Sequence, residues 1–563
     1  DAGELWELLR SGRRAIGEVP ASRWDWRPYF SGPGEASNRI ATHRGAFIEG
    51  LDGFDPLFFE ISPREAQWMD PRQRLILEEA WRAFEDAGYA GERLRGSRCG
   101  VFIGVEEGVP GEAADGLATS HHNGILAARI SYVLDLKGPN LAINTACSSG
   151  LVAVHTACQS VQRGECELAL AGGVNVLNSP LTYVALTQGG MLSSSGECHA
   201  FDARADGMVP GEAVAAVVLK DLARAQADGD PIHGVIRASG VNYDGRTNGI
   251  TAPSARSQRA LISEVLERGG IEAERIEAVL AHSVGSPLGD PIEARALCEA
   301  LGEGLNEGLN EGTQTRVLGS VKPQIGHTFA ASGVVNVIAM CASLRHGLRL
   351  GIANHEVANP DLRIGDGALS LGAGAQPWPK RAGVARCGLV SATGMSGTNA
   401  CVVIEEAPEE TSGAVGKETR REWLVKLSAR ESGALRESAR RLRAWLGGEA
   451  GAEVELDALS LTLDVGREAM RYRLAMVVGA GGSEEGRSGL MAALDAYLEG
   501  AEGAALAGKG VYAGEVADEG MEEAGSAALS KASALSGQAR DWCEGLRTDD
   551  AVLHRGGRPR RLA

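Results

Sequence analysis

The stretch Asn144-Thr145-Ala146-Cys147-Ser148-Ser149-Gly150, "NTACSSG", decides how the chain is read. It ends an apolar-leaning run and opens a helical one. Beyond it Leu151, Val154, Cys158 and Val161 recur at i, i+3, i+7 and i+10, one face of a helix. A thiol therefore sits at a strand-to-helix turn, between residues small enough to let a substrate approach. Unpaired amides and the macrodipole at a helix start favour a thiolate. A buried structural cysteine fits the same place, and the stretch alone leaves both readings open.

Working outward, "CGVFIG" (99–104), "LALAGGVNVL" (168–177), "AVAAVVLK" (213–220), "GVIRASGVNYDG" (234–245), "IEAVLAHS" (276–283) and "RVLGSVK" (316–322) are strand-like. "VARCGLVSATGMSGTNACVVIEEA" (384–407) reads as two strands around a Gly-rich turn. Residues 3–10 and 71–87 carry helical periodicity. Alternating strands and helices in a chain with 76 glycines predict an α/β architecture. At 563 residues the chain exceeds one core, and two to four domains or subdomains follow. "PEETSGAVGKETRR" (408–421) marks a linker, and "EGLNEGLNEG" (303–312) a surface loop. The net charge of −18 argues against a nucleic-acid partner. No apolar run of eighteen residues stands out, so no membrane span or membrane partner is expected. The ten cysteines form no C-x-x-C pair, which excludes a zinc ribbon, and the expected compartment is reducing cytoplasm.

Two histidines share the cysteine's setting. His282 ends a strand before a Gly/Pro turn, and His327 sits at a turn that opens a small-residue helix. Such strand-to-helix junctions can converge at one sheet edge. Metal binding competes, but no H-x-x-x-H or H-x-E cluster supports it, and no metal site is expected.

"DPLFFEISPREAQWMDPRQRLILEEAW", "NTACSSGLVAVHTACQS", "FDARADGMVPGEA", "NYDGRTNGITAPSARSQ", "HSVGSPLGDPIEA", "SVKPQIGHT" and "SGTNACVVIEEAP" occur in that order. Together they resemble the ketosynthase (β-ketoacyl synthase) domain of modular polyketide synthases. "TSHHNGILAARISYVLDLKGP" leans towards the trans-acyltransferase class. The resemblance implies a thiolase-like layered α-β-α-β-α fold over residues 1–407, without the family's usual opening strand. It implies a linker at 408–421, a smaller α/β flanking linker domain at 422–545, and a basic tail at 546–563 wrapping back. It also implies a Cys147–His282–His327 site. Cys147 takes an acyl chain from an acyl carrier protein, and the histidines hold the malonyl thioester carbonyl through decarboxylative Claisen condensation. Cys147 and Thr393 supply the oxyanion amides, with Gly394 and Met395 beside them in the pocket. Lys322 supports the second histidine's loop by an ion pair. Val284 and Ser286 match the threonines that hold the phosphopantetheine arm, which belongs to the carrier, so no cofactor of its own is implied. The implied partners are the carrier protein, neighbouring synthase domains and a second copy in a homodimer.

Several positions depart from the family pattern. "HSVGS" stands for "HGTGT", so Val284 loses a hydroxyl and Ser283 adds a side chain where the turn calls for unusual φ/ψ. Thr393 replaces a gating phenylalanine, Pro210 an arginine, and Gly150 a frequent serine, which would widen the site. These changes cluster around carrier-arm and malonyl handling, so a non-elongating transacylase, a branching ketosynthase and a catalytically silent scaffold remain alternatives to elongation.

Overall fold

The computed structural model describes residues 1–30, 39–107, 119–302, 316–362, 364, 369–408, 422–452, 454–479, 483–500, 503–516 and 534–548. Most of the expected linker (409–421), the 303–312 repeat and residues 549–563 of the basic tail lie outside them. The described residues cluster in two units. One comprises Asp1–Trp81, Arg98–Asp221 and Ile232–Pro408; the other, Arg82–Ser97, Leu222–Pro231 and Glu409–Ala563.

The first unit is built on two sheets. A four-stranded sheet runs in the order Asn140–Ile143, Cys99–Gly104, Leu168–Asn175, Ala213–Lys220, with only the last pair antiparallel. A six-stranded sheet runs Leu369–Leu371, Arg316–Gly319, Ala278–Leu280, Cys387–Thr393, Thr398–Glu405, Val235–Tyr243. Helices Ser149–Gln162 and Ser332–His346 lie between the sheets. Leu151, Val154, Val334, Val337 and Met340 share one core with Phe102, Ala169 and Ala171 of the first sheet and Leu280, Val390, Val402 and Ile404 of the second. Helices Ala255–Gly269 and Gly289–Gly302 cover the second sheet's far face through Leu261, Val265, Leu297 and Leu301. This is the layered thiolase-like arrangement. Strands buried on both faces read as unbroken apolar runs, and so "CGVFIG" is buried throughout.

The middle layer holds one surprise for the sequence reading. Phe329–His346 has a mean hydropathy of 1.2 over 18 residues, enough in length and composition to cross a membrane. It is 72% buried inside the unit: enclosure between two sheets and a helix demands an apolar circumference.

The two inner helices touch backbone to backbone. A Cβ on Gly150 would stand 2.5 Å from the Ala330 carbonyl oxygen, and one on Gly333 would stand 2.5 Å from Leu151 N. Gly150 therefore does not widen the site. Its missing side chain lets the two helix starts approach, which a serine there could do only by pushing Ala330 away.

The second unit carries an antiparallel sheet, Glu422–Ala429, Tyr472–Gly479, Val511–Glu515, packed by helices Ser432–Leu446, Leu456–Val465 and Ser483–Leu498. It takes in two segments from earlier in the chain. Arg95 pairs with Glu468 at 2.9 Å, and Tyr89 Oη donates to Asp230 Oδ2 at 2.7 Å.

Candidate active site

The cysteine sits on a strained elbow. Ala146 has φ 56°, a left-handed value that costs a non-glycine residue about 1–2 kcal/mol. Hydrogen bonds hold it there. Asn144 Oδ1 accepts from Ala146 N at 3.1 Å, Ser149 Oγ accepts from Thr145 N at 2.9 Å, and Ser149 N donates to Ala146 O at 3.0 Å. Cys147 emerges buried, 5% exposed, just ahead of helix Ser149–Gln162.

Two backbone N–H groups point at its sulfur, its own and that of Met395. The second amide expected from the resemblance was that of Thr393. Thr393 instead ends its strand paired with Asn399, while the turn over Gly394 brings the Met395 amide to the sulfur. The Met395 side chain is half exposed. Burial pushes the Cys147 thiol up to about 12. The Glu106 carboxylate adds to that rise, while the Lys322 ammonium and the two amides oppose it. The enclosed site therefore holds a neutral thiol, against the thiolate expected from helix-start geometry alone: desolvation outweighs the dipole.

His282 leaves the strand Ala278–Leu280 into a loop clamped by two carboxylates. Glu293 accepts from the backbone N of His282 and of Ser283, both at 2.8 Å, and from Ser391 Oγ at 2.7 Å. Asp290 accepts from Val284 N at 3.1 Å and from Gly285 N and Ser286 N at 3.2 Å. Burial raises Asp290 to about 7. The left-handed position in this loop is Gly285, φ 77°, and Ser283 is not among the described residues with positive φ, so its side chain strains nothing. Ser286 Oγ accepts from Gly289 N at 3.1 Å, which leaves its O–H free to donate. Val284 offers no hydroxyl.

His327 is fixed by Val209 O, which accepts from its N at 2.6 Å, and by Gly211 N, which donates to its carbonyl at 2.8 Å. Pro210, between those partners, needs no amide of its own. The His327 ring bonds Ser332 Oγ through Nδ1 at 3.0 Å and stacks on Phe329 at 4.7 Å. Phe329 belongs to the same apolar cluster as Cys147.

The two imidazoles meet edge to face, centroids 5.3 Å apart. His282 Nδ1 and His327 Nε2 are buried ring nitrogens without a partner. Burial holds both rings well below the ordinary histidine value, with Lys322 next in effect on each. Both are therefore neutral at pH 7, and each can present an N–H without a charge of its own. Lys322 donates to the His282 carbonyl, so it supports the first histidine's loop by a hydrogen bond and not, as expected, the second's by an ion pair. Burial lowers its own value, and Glu293 is the strongest charge holding it cationic. Its field reaches all three of Cys147, His282 and His327. Among the described residues no group of three His, Cys, Asp or Glu side chains could hold a metal ion.

Glu293, Asp290, Ser332 and the Met395 amide escaped the sequence reading. The acidic pair was visible three residues apart in "GDPIEA", at the first turn of a helix after a histidine loop, where carboxylates collect backbone N–H groups.

Residues 1–225 match the model of the β-ketoacyl synthase N-terminal domain, 233–356 that of its C-terminal domain, and 426–501 a RhiE-like, KS-MAT linker domain. A solved ketosynthase from module 6 of the bacillaene synthase of Bacillus subtilis 168 is 35% identical, with a TM-score of 0.84. The match covers 100% of this chain and 94% of that one. The chain belongs to the β-ketoacyl synthase family. It is a ketosynthase domain of the trans-acyltransferase class of modular polyketide synthases, an acyltransferase by reaction type. The oxazolomycin ketosynthase domain OzmH KS7 of Streptomyces albus JA3453 is also similar, with 32% identity, a TM-score of 0.87, and coverage of 100% and 94%. Among curated proteins, polyketide synthase PksM of Bacillus subtilis (strain 168) is 42% identical over 98% of this chain, and polyketide synthase ThaG of Burkholderia thailandensis 44% over 88%. This ketosynthase spans only 13% and 8% of their lengths.

Proposed function

We propose that this ketosynthase elongates an acyl chain by decarboxylative Claisen condensation, with Cys147, His282 and His327 as its catalytic residues. The Cys147 sulfur attacks the thioester of an acyl chain carried on the phosphopantetheine arm of an acyl carrier protein. Its proton leaves with the pantetheine thiol, and the acyl group remains on Cys147. The Cys147 and Met395 amides hold the oxyanion of that step. A malonyl thioester then places its carbonyl oxygen between the histidines. Loss of CO2 leaves an enolate whose oxygen accepts from both imidazoles, each such donor being worth about 3 kcal/mol. The enolate carbon attacks the Cys147 thioester, the sulfur departs, and a chain two carbons longer stays on the carrier.

The observation that carries this reading is the pair of neutral, perpendicular imidazoles, 5.3 Å apart, with an unpartnered nitrogen on each. The departures at Ser283 and Thr393 strain neither the loop nor the amide pair, so they favour no alternative to elongation. Ser286 is the proposed pantetheine donor. The domain limits at 407, 421 and 545 remain part of this proposal. So does a homodimer, for which the sheet-edge strand Asn140–Ile143, with Leu141 exposed, offers an open ladder. Cytoplasm is the proposed setting, in keeping with Cys99, Cys147, Cys166 and Cys198, which are buried thiols outside any disulfide. The test incubates the chain with an acyl thioester and malonyl-carrier. A β-keto product two carbons longer is expected; an acylated Cys147 that never yields one would overturn elongation.

A further inference from the structure

Glu106 follows the strand Cys99–Gly104 by two residues and has no part in the chemistry above. Its backbone is pinned beside the elbow. Val105 N donates to Ile143 O at 2.9 Å, and Ser149 Oγ to Val105 O at 3.5 Å. Arg72 Nη1 donates to the Glu106 carbonyl at 2.7 Å, and Asn123 Nδ2 donates to it at 3.3 Å. The side chain is left over. Glu106 Oε1 is closed off from solvent and has no partner, and neither has Asn123 Oδ1. The guanidinium that would suit the acid is already engaged, Arg72 Nε and Nη2 donating to Asp70 Oδ2 at 3.0 and 2.7 Å. Buried polar atoms in folded proteins are nearly always satisfied, so two unsatisfied oxygens, on residues joined by the hydrogen bond from Asn123 to the Glu106 carbonyl, call for a donor from outside the chain. Val105, the residue before Glu106, is bonded to Ser149, two residues past Cys147, and the Glu106 charge is felt at the thiol, so the gap lies near the nucleophile's elbow.

We propose that Glu106, together with Asn123, is a specificity-determining residue that hydrogen-bonds a hydroxyl near the thioester end of the acyl chain on Cys147. The inference rests on the reading of Cys147 as the acyl-carrying nucleophile. An alcohol matches both members: its O–H donates to one oxygen, and its oxygen accepts when the acid is protonated. Burial raises the Glu106 carboxyl to about 7, against the pull of Arg72, so the protonated form is well populated at neutral pH. An alkyl group in the same place would leave both oxygens unmet, and sites built to bond a hydroxyl reject the analogue that lacks it.

The test offers the full chain 3-hydroxybutyryl- and butyryl-pantetheine in competition and reads Cys147 acylation by intact mass. The hydroxyacyl thioester is expected to win by about tenfold, the factor of one ordinary hydrogen bond. Glu106→Leu should bring the ratio to about one while butyryl loading persists, and Glu106→Gln should keep part of the preference. Asn123→Leu should also lower the ratio, and it carries the test if Glu106→Leu does not fold. No hydroxyacyl preference in the parent chain, or an unchanged ratio in both leucine variants, overturns the proposal. Failure of the parent to load either thioester would instead overturn the reading of Cys147 on which it rests.

Discussion

Replacing Gly104 with alanine puts a methyl group where the first turn of the nucleophile's helix already sits. The added carbon would lie 2.5 Å from Gly150 N and 2.7 Å from Gly150 Cα and Ser149 C. Ordinary contact starts near 3.4 Å, so that turn must retreat by about 0.9 Å. All three atoms are backbone, and no rotamer change relieves them. Overpacking of this kind costs about 1–3 kcal/mol. The retreat also moves Cys147 away from the histidines, which hang on other elements, and a misplacement of ~1 Å costs about 100-fold in rate. The expected result is a lower urea midpoint and a condensation rate about two orders of magnitude down at saturating malonyl-carrier. Gly17→Ala, where the new carbon meets nothing within 4 Å, is the control. A Gly104→Ala chain with its midpoint unmoved and its rate within threefold of the parent would refute the argument that bare backbone contact sets the site.

Met395→Ala keeps the amide and should load Cys147 within a few-fold of the parent. Met395→Pro removes the N–H and should lose about 10²–10³ in acylation rate, read by intact mass. Lys322→Met deletes the cation that lowers the Cys147 value, so the pH midpoint of iodoacetamide alkylation should move up; a fall would contradict the assigned sign. Because His282 and His327 are both held well below 6.5, they stay uncharged from pH 8 down through 6.5. A pH–rate profile of condensation should therefore show no inflection near 6.5 that belongs to either ring, as distinct from the carboxyls of Asp290 and Glu106 near 7, and an acid limb there that vanishes in His327→Gln would count against neutral imidazoles.

An α/β architecture was legible because buried strands such as 99–104 and 168–177 and the helix face after Cys147 carry their own periodicity; the layered arrangement came from the resemblance of seven ordered motifs. The three proposed catalytic residues were legible through the same motifs, since their strand-end positions alone left a structural cysteine and ordinary histidines open. What escaped was whatever depends on contacts distant in sequence. Burial outweighs the helix dipole at Cys147, and no local pattern reports how much water the folded site excludes. The Gly150 reading failed for the same reason: a missing side chain looks like space until Ala330, far along the chain, fills it. The Thr393 amide was misplaced by two residues because only the turn's path shows which N–H faces the sulfur. The second unit's earlier segments, 82–97 and 222–231, carry no sequence mark of their destination.

The central claim is that two uncharged imidazoles share one substrate oxygen beside an acylated cysteine. Its most direct test measures labelled CO2 release from carboxyl-labelled malonyl-carrier on chain preloaded at Cys147, with His282→Ala and His327→Ala each compared with the parent. The account predicts that either change cuts CO2 release by about 10²–10³ while loading of Cys147 stays within a few-fold. Decarboxylation that persists at the parental rate without either ring would contradict it.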